Sequence, residues 1–259
     1  MGAASSVMIT EELQKPADAS DLADDAACRT EVIRLRQIIA AQQTPVPTLL
    51  AKSSPLKGAP HIGDCPFAHF CRMAFHIAEK PLNVIFVDSD KKPAWLLEEP
   101  YNGSMPCLAP AGFDDGTGAI VESSKVAAVA LPPTEADNAA LAALGGLLPA
   151  LCGYCKGDAS KNEALATAVD DVLARGEKHL ADTGAAFFSG DAPGYADAHT
   201  ITKLHVLHSV GAHFNKWDLD AERFPKMKSY CERVFAMKAF EDTVYPHEEG
   251  VAGWGAERE

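Results

Sequence analysis

The sequence predicts a small α/β domain followed by an all-helical domain. Two β-type runs, Val46–Ala51 and Leu82–Asp88, flank a helical pattern at Pro66–Glu79, and this order and spacing indicate a βαβ unit with a parallel sheet. A third β-type run follows at Met105–Ala109. Beyond Leu131–Thr134, the clearest linker signal in the chain, the patterns are helical with almost no strand signal.

The individual elements follow from the spacing of their apolar residues. The helix at Pro66–Glu79 places aromatic and small apolar residues three and four positions apart, as a buried helix face requires. The run Leu82–Asp88 is continuously apolar, which is typical of a buried strand. Three amphipathic helices are predicted in the second domain, at Leu165–Leu180, Ile201–Val210 and Tyr230–Met237. We therefore expect domains of residues 47–131 and 132–259.

Length and charge limit the classes of partner. The chain has 259 residues, of which 47% are hydrophobic and 23% charged, which is enough for one or two domains with a substantial core. A formal net charge of -13 argues against nucleic-acid binding, since proteins that bind phosphate backbones present basic surfaces. The charge-free run Ala139–Cys155 contains glycines and a proline and is shorter than the roughly 20 apolar residues of a spanning helix. We expect neither a nucleic-acid nor a membrane partner, and a monomer.

Residues 1–46 are predicted to be an extension, partly helical or disordered, with an amphipathic pattern between Ala17 and Gln43. The first fifty residues carry seven acidic and four basic side chains, unlike an organelle transit peptide, and the first ten do not resemble a secretory leader. Seven dispersed cysteines do not form a disulfide framework. We expect a reducing compartment, cytoplasmic with the chloroplast as the alternative.

The most informative position is Cys65, in the segment GDCPFA at the start of the first helix. Pro66 suits the first helical turn, so Cys65 lies at the helix N-terminus, where free N–H groups and the helix dipole favour a thiolate. We therefore predict a reactive thiol whose pKa is lowered from its usual value. Ala68 stands where a CxxC motif has its second cysteine, and Cys71 lies on another face of the helix. The site is a monothiol, so its resolving thiol has to come from outside.

Several segments together resemble a known family. GDCPFAHF at 63–70, KPAWL at 92–96, SMPC at 104–107 and Glu122-Ser123 resemble the first half of a glutathione-transferase-fold protein with a catalytic cysteine. In the second half, the segments at 196–197, 203–205, 213–217 and 251–254 resemble dehydroascorbate reductase of the plant and algal type. The resemblance implies an α/β thioredoxin-like domain, an all-α domain and the glutathione transferase fold.

The resemblance also implies a reaction. Dehydroascorbate and two glutathiones would give ascorbate and glutathione disulfide by a ping-pong mechanism, through a Cys65 sulfenic acid and a mixed disulfide with glutathione. Glutathione is then a co-substrate, and no bound cofactor or metal is expected. The partners are the small molecules glutathione, dehydroascorbate and ascorbate.

The family's binding residues are expected at matching positions. Dehydroascorbate would be bound by Cys65, Asp64 and Lys52, with Lys57 as a rival to Lys52 in the alignment of the first loop. Glutathione would be held by a second group, in which Met105 precedes an expected cis-proline. Its members are Lys92, Met105, Pro106, Glu122, Ser123, His205 and Trp254.

The chain departs from the family at three places. Phe70 stands where the family usually has arginine. The family's histidine falls on Val206, and His205 occupies the neighbouring aromatic position, so its expected contact with glutathione is in question. Gly194 replaces a Ser/Thr helix cap, which leaves Asp197 to cap that helix. None of the three removes the nucleophile.

Other cysteines and histidines admit simpler interpretations. Cys152 and Cys155 have the spacing of a redox motif, but they lie within an apolar helical run, and helix packing is favoured over a regulatory disulfide or metal binding. The histidines His199, His205, His208 and His213 lack a nearby carboxylate pattern that would complete a metal site.

Three rival functions share parts of this pattern. An omega-like glutathione thioltransferase shares the cysteine and the fold, and a mixed-disulfide substrate would distinguish it. An intracellular chloride-channel-like protein of the same fold would insert its cysteine helix into membranes, which His69, Arg72 and His76 disfavour. A non-catalytic binding module would retain its function without Cys65.

Overall fold

The structure is a computed structural model that describes residues 30, 32–35, 46–110 and 116–258. It divides after Val46 into two compact units, and every feature discussed below, apart from residues 32–35, belongs to the unit that begins at Pro47. Residues 32–35 are helical, whereas most of the helix predicted between Ala17 and Gln43 lies outside the described residues.

A mixed five-stranded sheet is formed by the first half of this unit. Strand β1 (Thr48–Ser54) pairs in parallel with β3 (Asn83–Val87) and antiparallel with β4 (Cys107–Ala109), which pairs antiparallel with β5 (Ile120–Val121). Strand β2 (Gly58–Ile62) returns from β1 as an antiparallel hairpin. The predicted parallel pair is confirmed. The expectation of a parallel sheet is wrong for β2, β4 and β5, whose pairing is antiparallel.

Helix α1 (Pro66–Ile77) provides the predicted connection between β1 and β3. It ends two residues earlier than the periodicity indicates, and a short helix α2 (Ala94–Leu97) follows β3. Helix α3 (Ser123–Ala130) begins directly after β5 and packs on α1.

Strand β1 is central because both of its faces are covered. Leu49 belongs to a cluster with Phe75 of α1, and Leu50 belongs to a cluster with Leu96 of α2. These leucines are at most 1% exposed, so the continuous apolar run of β1 is explained by burial on both sides.

The second half contains only helices among its described elements, as predicted. They are α4 (Glu135–Ala143), α5 (Leu147–Lys156), α6 (Glu163–Thr183), α7 (Tyr195–Val206), a π-helical turn (Leu207–Gly211), α8 (Ala212–Asn215), α9 (Pro225–Phe235), α10 (Lys238–Glu241) and α11 (His247–Gly255). The second of the three predicted amphipathic helices is therefore interrupted by the π-helical turn.

Helix α7 joins the two halves. Phe70 of α1 is fully buried, and its ring lies 5.2 Å from those of Tyr195 and His199. Asp197 accepts hydrogen bonds from the backbone N–H groups of Gly194 (2.9 Å) and Phe188 (2.8 Å), so this carboxylate caps α7 as predicted. Phe70, at the family's arginine position, is thus part of the core between the halves.

One observation concerns membranes. Within the described part of the chain, no single helix is long and apolar enough to cross a bilayer, although the bent pair α4 and α5, at 42°, meets that test by length and composition.

Candidate functional site

Cys65 is the N-cap residue of helix α1, where the sequence placed it. Its backbone is extended (φ -75°, ψ 113°), Pro66 follows in the first turn, and its carbonyl oxygen accepts a hydrogen bond from His69 at 3.0 Å. The side chain is half-buried and makes no side-chain capping hydrogen bond. The thiol therefore stands at the positive end of the helix with its sulfur accessible from one side.

Gly63 allows the loop before Cys65 to pass close to β1. A Cβ atom at this position would lie 2.3 Å from the carbonyl oxygen of Ser53 and 2.4 Å from that of Lys52. No side chain fits against backbone at that distance, so glycine is required for close approach rather than for an unusual backbone angle. The contact fixes Asp64 and Cys65 next to the end of β1.

The predicted low pKa of Cys65 is wrong for this structure. Burial raises the pKa of the Cys65 thiol above its ordinary value, and the charge of Asp64 acts in the same direction. The backbone N–H groups of Ala68 and Phe67 and the charge of Lys52 lower the pKa but do not compensate for the burial. The helix N-terminus thus has the predicted effect, and the loss of solvent outweighs it.

Lys52 and Asp64 form an ion pair beside Cys65. The Lys52 Nζ atom lies 2.8 Å from an oxygen of Asp64, with side chains 33% and 4% exposed. Lys57, the rival position, is exposed in the turn between β1 and β2. Lys52 is therefore the lysine that the fold brings to the thiol.

Cys65 opens into a cavity of about 220 Å³ between the two halves. From the first half it is lined by the ion pair and the start of α1, and from the second half by α5 and the C-terminal segment. The lining residues are Lys52, Asp64, Cys65, Pro66, Phe67, Leu148, Cys152, Lys156, Trp254 and Glu257. A nucleophile, a cation, a carboxylate and an indole ring thus face one space.

Helix α11 closes this cavity through a close contact at Gly253. A Cβ atom on Gly253 would lie 2.0 Å from Asp64 Oδ2. The same helix is attached to the end of β1, where the Ser54 hydroxyl donates to Glu249 at 2.5 Å across 195 positions of sequence. Trp254, 7% exposed, is thereby placed over the cavity.

Four of the seven residues expected to hold glutathione lie at one edge of the sheet. Met105 and Pro106 are joined by a cis peptide bond, as are two other X–Pro pairs in the described residues, and they directly precede β4. Because Leu50 pairs with Cys107, continuing the register by two residues places Met105 opposite Lys52. Glu122 and Ser123 follow β5 at the same edge.

Glu122, at that edge, and Lys92 each make a polar contact within the chain. Glu122 has a positive φ of 70°, uncommon for a residue other than glycine, and its exposed carboxylate pairs with Lys125 at 2.8 Å. Lys92 Nζ donates to the Gly103 carbonyl at 2.7 Å.

His205 lies elsewhere. Its ring is 5.0 Å from that of Tyr245 and 6.0 Å from that of His69, in a buried aromatic cluster that does not contribute to the cavity described above. Burial lowers the pKa of His205 to about 4, so the ring is neutral at physiological pH. The structure therefore does not bring His205 together with Cys65 in that cavity, and Val206, at the family's histidine position, is fully buried.

Four lining residues of the second half were missed by the sequence analysis: Leu148, Cys152, Lys156 and Glu257. The first three recur every four positions along α5, so a single face of that helix points at the cavity. This periodicity is visible in the sequence, but it does not say which partner the face meets.

Cys152 and Cys155 differ in their surroundings. Cys155 is fully buried in the helical core, as predicted, whereas Cys152 is half-buried on the cavity wall, and both are free thiols. Within the described residues, no group of three His, Cys, Asp or Glu side chains is placed to hold a metal ion.

We expect the alkylation rate of Cys65 by iodoacetamide to rise with pH, with a midpoint above the roughly 8.5 of a free cysteine. Replacing Lys52 by Met removes a positive charge that favours the thiolate, so the midpoint should rise further. Replacing Asp64 by Asn removes a negative charge, so the midpoint should fall. Peptide mass spectrometry of quenched samples measures Cys65 separately from the other thiols.

The urea-unfolded protein serves as the control for this titration and should give the free-cysteine midpoint. A native midpoint below that of the unfolded chain would contradict the dominance of burial.

The chain is similar to known proteins over most of its length. Residues 158–233 match the family model described as "Glutathione S-transferase, C-terminal domain". The rice (Oryza sativa subsp. japonica) protein named "Probable glutathione S-transferase DHAR2, chloroplastic" is 26% identical over 235 residues, covering 88% of this chain and 83% of that protein.

Two solved structures have a similar fold. The crystal structure of Chlamydomonas reinhardtii dehydroascorbate reductase superimposes with a TM-score of 0.67 at 24% identity, covering 83% of this chain and 100% of that chain. The CLIC homologue EXC-4 from C. elegans has a TM-score of 0.67 at 14% identity, covering 83% of each chain. These similarities confirm the predicted thioredoxin-like first half and helical second half.

Proposed function

We propose that this chain, which resembles the dehydroascorbate reductases of the glutathione transferase superfamily, reduces dehydroascorbate to ascorbate with two molecules of glutathione. The observation that carries the proposal is a single N-cap thiol, Cys65, facing a cavity that also contains the Lys52–Asp64 ion pair. Among the curated relatives, four at 24–26% identity carry the name DHAR.

The first step oxidises Cys65. The thiolate gives two electrons to dehydroascorbate, water supplies the oxygen of the resulting sulfenic acid, and ascorbate leaves. Lys52, one-third exposed on the cavity wall, is placed to contact the oxygen atoms of the substrate while Asp64 keeps its ammonium in position. Since burial raises the pKa of Cys65, the thiolate is a minority at neutral pH and this step should accelerate as pH rises.

The next two steps return Cys65 to its thiol. The sulfenic acid condenses with one glutathione to a mixed disulfide and releases water. A second glutathione attacks the glutathione sulfur, the bond to Cys65 breaks, and glutathione disulfide leaves. Position 68, where a CxxC motif has its second cysteine, is alanine, so that motif supplies no resolving thiol and a second glutathione takes its place.

The first glutathione would lie along the sheet edge described above. Its γ-glutamyl end would meet Glu122 and Ser123 at the start of α3, its cysteinyl backbone Met105, and its glycyl carboxylate Lys92. A carboxylate is favoured at a helix N-terminus, where backbone N–H groups are free. Trp254 would cover the sulfur from the helical side.

The sharpest test of this function is a substrate comparison on the unmodified chain. We expect glutathione-dependent formation of ascorbate, followed by its ultraviolet absorption, to be at least about ten-fold more efficient than reduction of hydroxyethyl disulfide. The reason is the Lys52–Asp64 pair, which suits a small oxygen-rich ring and offers nothing to an uncharged disulfide.

Two controls accompany the comparison. The uncatalysed reaction of glutathione with dehydroascorbate is subtracted, and heat-denatured protein should add nothing to it. Faster turnover of hydroxyethyl disulfide than of dehydroascorbate would identify a thioltransferase of the omega-like type instead.

The proposed reaction needs a supply of reduced thiol, which a reducing compartment maintains. Of the rice relatives that carry the name DHAR, one is named as chloroplastic and one as cytosolic. We propose a reducing compartment of either kind as the site of action, and a monomer as the working form.

A further inference from the structure

The cavity beside Cys65 has a second wall that, apart from Trp254, the proposed first glutathione does not use. Of the residues expected to bind that glutathione, Trp254 lines the cavity, and Lys92, Met105, Pro106, Glu122, Ser123 and His205 do not. The second wall is formed by Leu148, Cys152 and Lys156 of α5, with Trp254 and Glu257 from the C-terminal segment. It therefore presents a cation of its own to whatever approaches Cys65 from the helical side.

Lys156 is held at this wall by two contacts. Its Nζ atom lies 2.5 Å from the Glu257 carboxylate and 5.7 Å from the centre of the Trp254 ring. The hydrogen bond with Glu257 raises the pKa of Lys156, which therefore stays positively charged at neutral pH. Both partners are well exposed, at 40% and 53%, and an exposed ion pair of this kind is weak enough to exchange one carboxylate for another.

We propose that Lys156 binds a carboxylate of the second glutathione, the molecule that attacks the mixed disulfide, and that Glu257 occupies Lys156 until that glutathione arrives. The inference rests on the proposed function for the identity of the thiol. In this step the sulfur of the second glutathione forms a bond to the sulfur of the first. The bond to Cys65 breaks, Cys65 leaves as a thiolate, and no other oxidant or reductant is needed.

Charge and order of binding both support this assignment. Glutathione carries two carboxylates, and a protein with a formal net charge of -13 repels anions unless a local cation attracts them. In a ping-pong sequence ascorbate has left before the thiols arrive, so neither dehydroascorbate nor ascorbate occupies the cavity when the second glutathione enters. The other lysine that lines the cavity, Lys52, is paired with Asp64, which is almost fully buried. Lys156 therefore exchanges its carboxylate partner more readily than Lys52 does.

The experiment starts from the full chain converted to its Cys65–glutathione mixed disulfide, with the position verified by peptide mass spectrometry. Release of the bound glutathione is then timed with two attacking thiols, glutathione and the uncharged 2-mercaptoethanol. In Lys156→Gln we expect release by glutathione to slow about five-fold, the change expected for one charge acting across a solvent-exposed contact. Release by 2-mercaptoethanol should stay unchanged.

Two further variants complete the test. Glu257→Gln removes the competing carboxylate and should accelerate release by glutathione by about two- to five-fold at low glutathione concentration. Lys161→Gln removes another exposed lysine that pairs with Asp158 outside the cavity, and should change neither rate.

The inference would be overturned if each thiol released the bound glutathione from Lys156→Gln at the same rate as from the parent. It would also be overturned if the substitution slowed release by both thiols to the same extent. The proposed function is tested separately, since release from the mixed disulfide involves no dehydroascorbate. A chain that fails to make ascorbate but keeps the Lys156-dependent preference for glutathione would refute the function and support the docking site.

Discussion

Replacing Cys65 by Ser is expected to abolish glutathione-dependent ascorbate formation, reducing the catalysed rate by about three orders of magnitude or more. A hydroxyl does not form a sulfenic acid or a mixed disulfide, so both halves of the ping-pong cycle are lost. The same spectrophotometric assay, on parent and variant side by side, measures the effect.

The fold should survive this change, which makes the loss interpretable. Cys65 is half-buried at the N-cap and its sulfur makes no side-chain capping bond, whereas serine is a favoured N-cap residue. We therefore expect the melting temperature to stay the same or rise slightly. Cys231→Ala, in α9 and remote from the cavity, provides a matched loss of one thiol that should keep the activity.

Retention of activity in Cys65→Ser would remove the proposed nucleophile altogether. Loss of activity counts as support for Cys65 as the nucleophile only if the variant is folded. The melting curve distinguishes a folded, inactive variant from an unfolded one.

Replacing Gly253 by Ala should destabilise the protein by about 1–3 kcal/mol and strongly reduce activity. A glycine-to-alanine change inside a helix normally stabilises it by about 0.5–1 kcal/mol, so the predicted sign is opposite to the helix propensity. The reason is the 2.0 Å approach of the added Cβ to Asp64, a buried carboxylate fixed by Lys52. Either α11 moves away or the ion pair shifts, and both distort the cavity. Urea unfolding measures the loss.

Two further variants test whether this steric clash causes the loss of stability. Gly250→Ala lies in the same helix, where the nearest atom is the ring edge of Tyr245 at 3.2 Å, and should cost much less. Asp64→Ala combined with Gly253→Ala removes the obstructing carboxylate, so the second substitution should cost less there than in the parent. If the losses in free energy of unfolding of the two single variants simply add in the double variant, the predicted clash between position 253 and Asp64 would be contradicted.

The parts of the fold that follow from local pattern could be predicted from sequence. The apolar runs of β1 and β3, the helix that begins at Pro66 and the cap by Asp197 each depend on neighbouring residues. Strand β2 was missed because GAPHI contains Gly58 and Pro60 and lacks alternation. It is held in the sheet by its hairpin with β1 rather than by strand propensity.

The site was predictable to the extent that it is local. The position of Cys65 at the start of α1 followed from Cys-Pro before an apolar helix, but the direction of its pKa shift did not. Burial of the thiol depends on residues as distant in sequence as Trp254, and helix-end electrostatics is only one contribution.

The aromatic cluster around His205 and the contact of the Leu148–Lys156 face of α5 with the cavity likewise depend on tertiary packing. Helix periodicity identifies which residues share a face, and it does not identify what that face meets. For this reason the expectation for His205 was transferred from the family's pattern, while Lys156 was found only in the folded chain.

The contact between Ser54 and Glu249 has a consequence for biosynthesis. These residues are 195 positions apart, and ribosomes add roughly 5–20 residues per second, so the first waits about ten to forty seconds for the second. Until helix α11 has been synthesised, the sulfur of Cys65 lacks the C-terminal segment that later covers its cavity through Trp254.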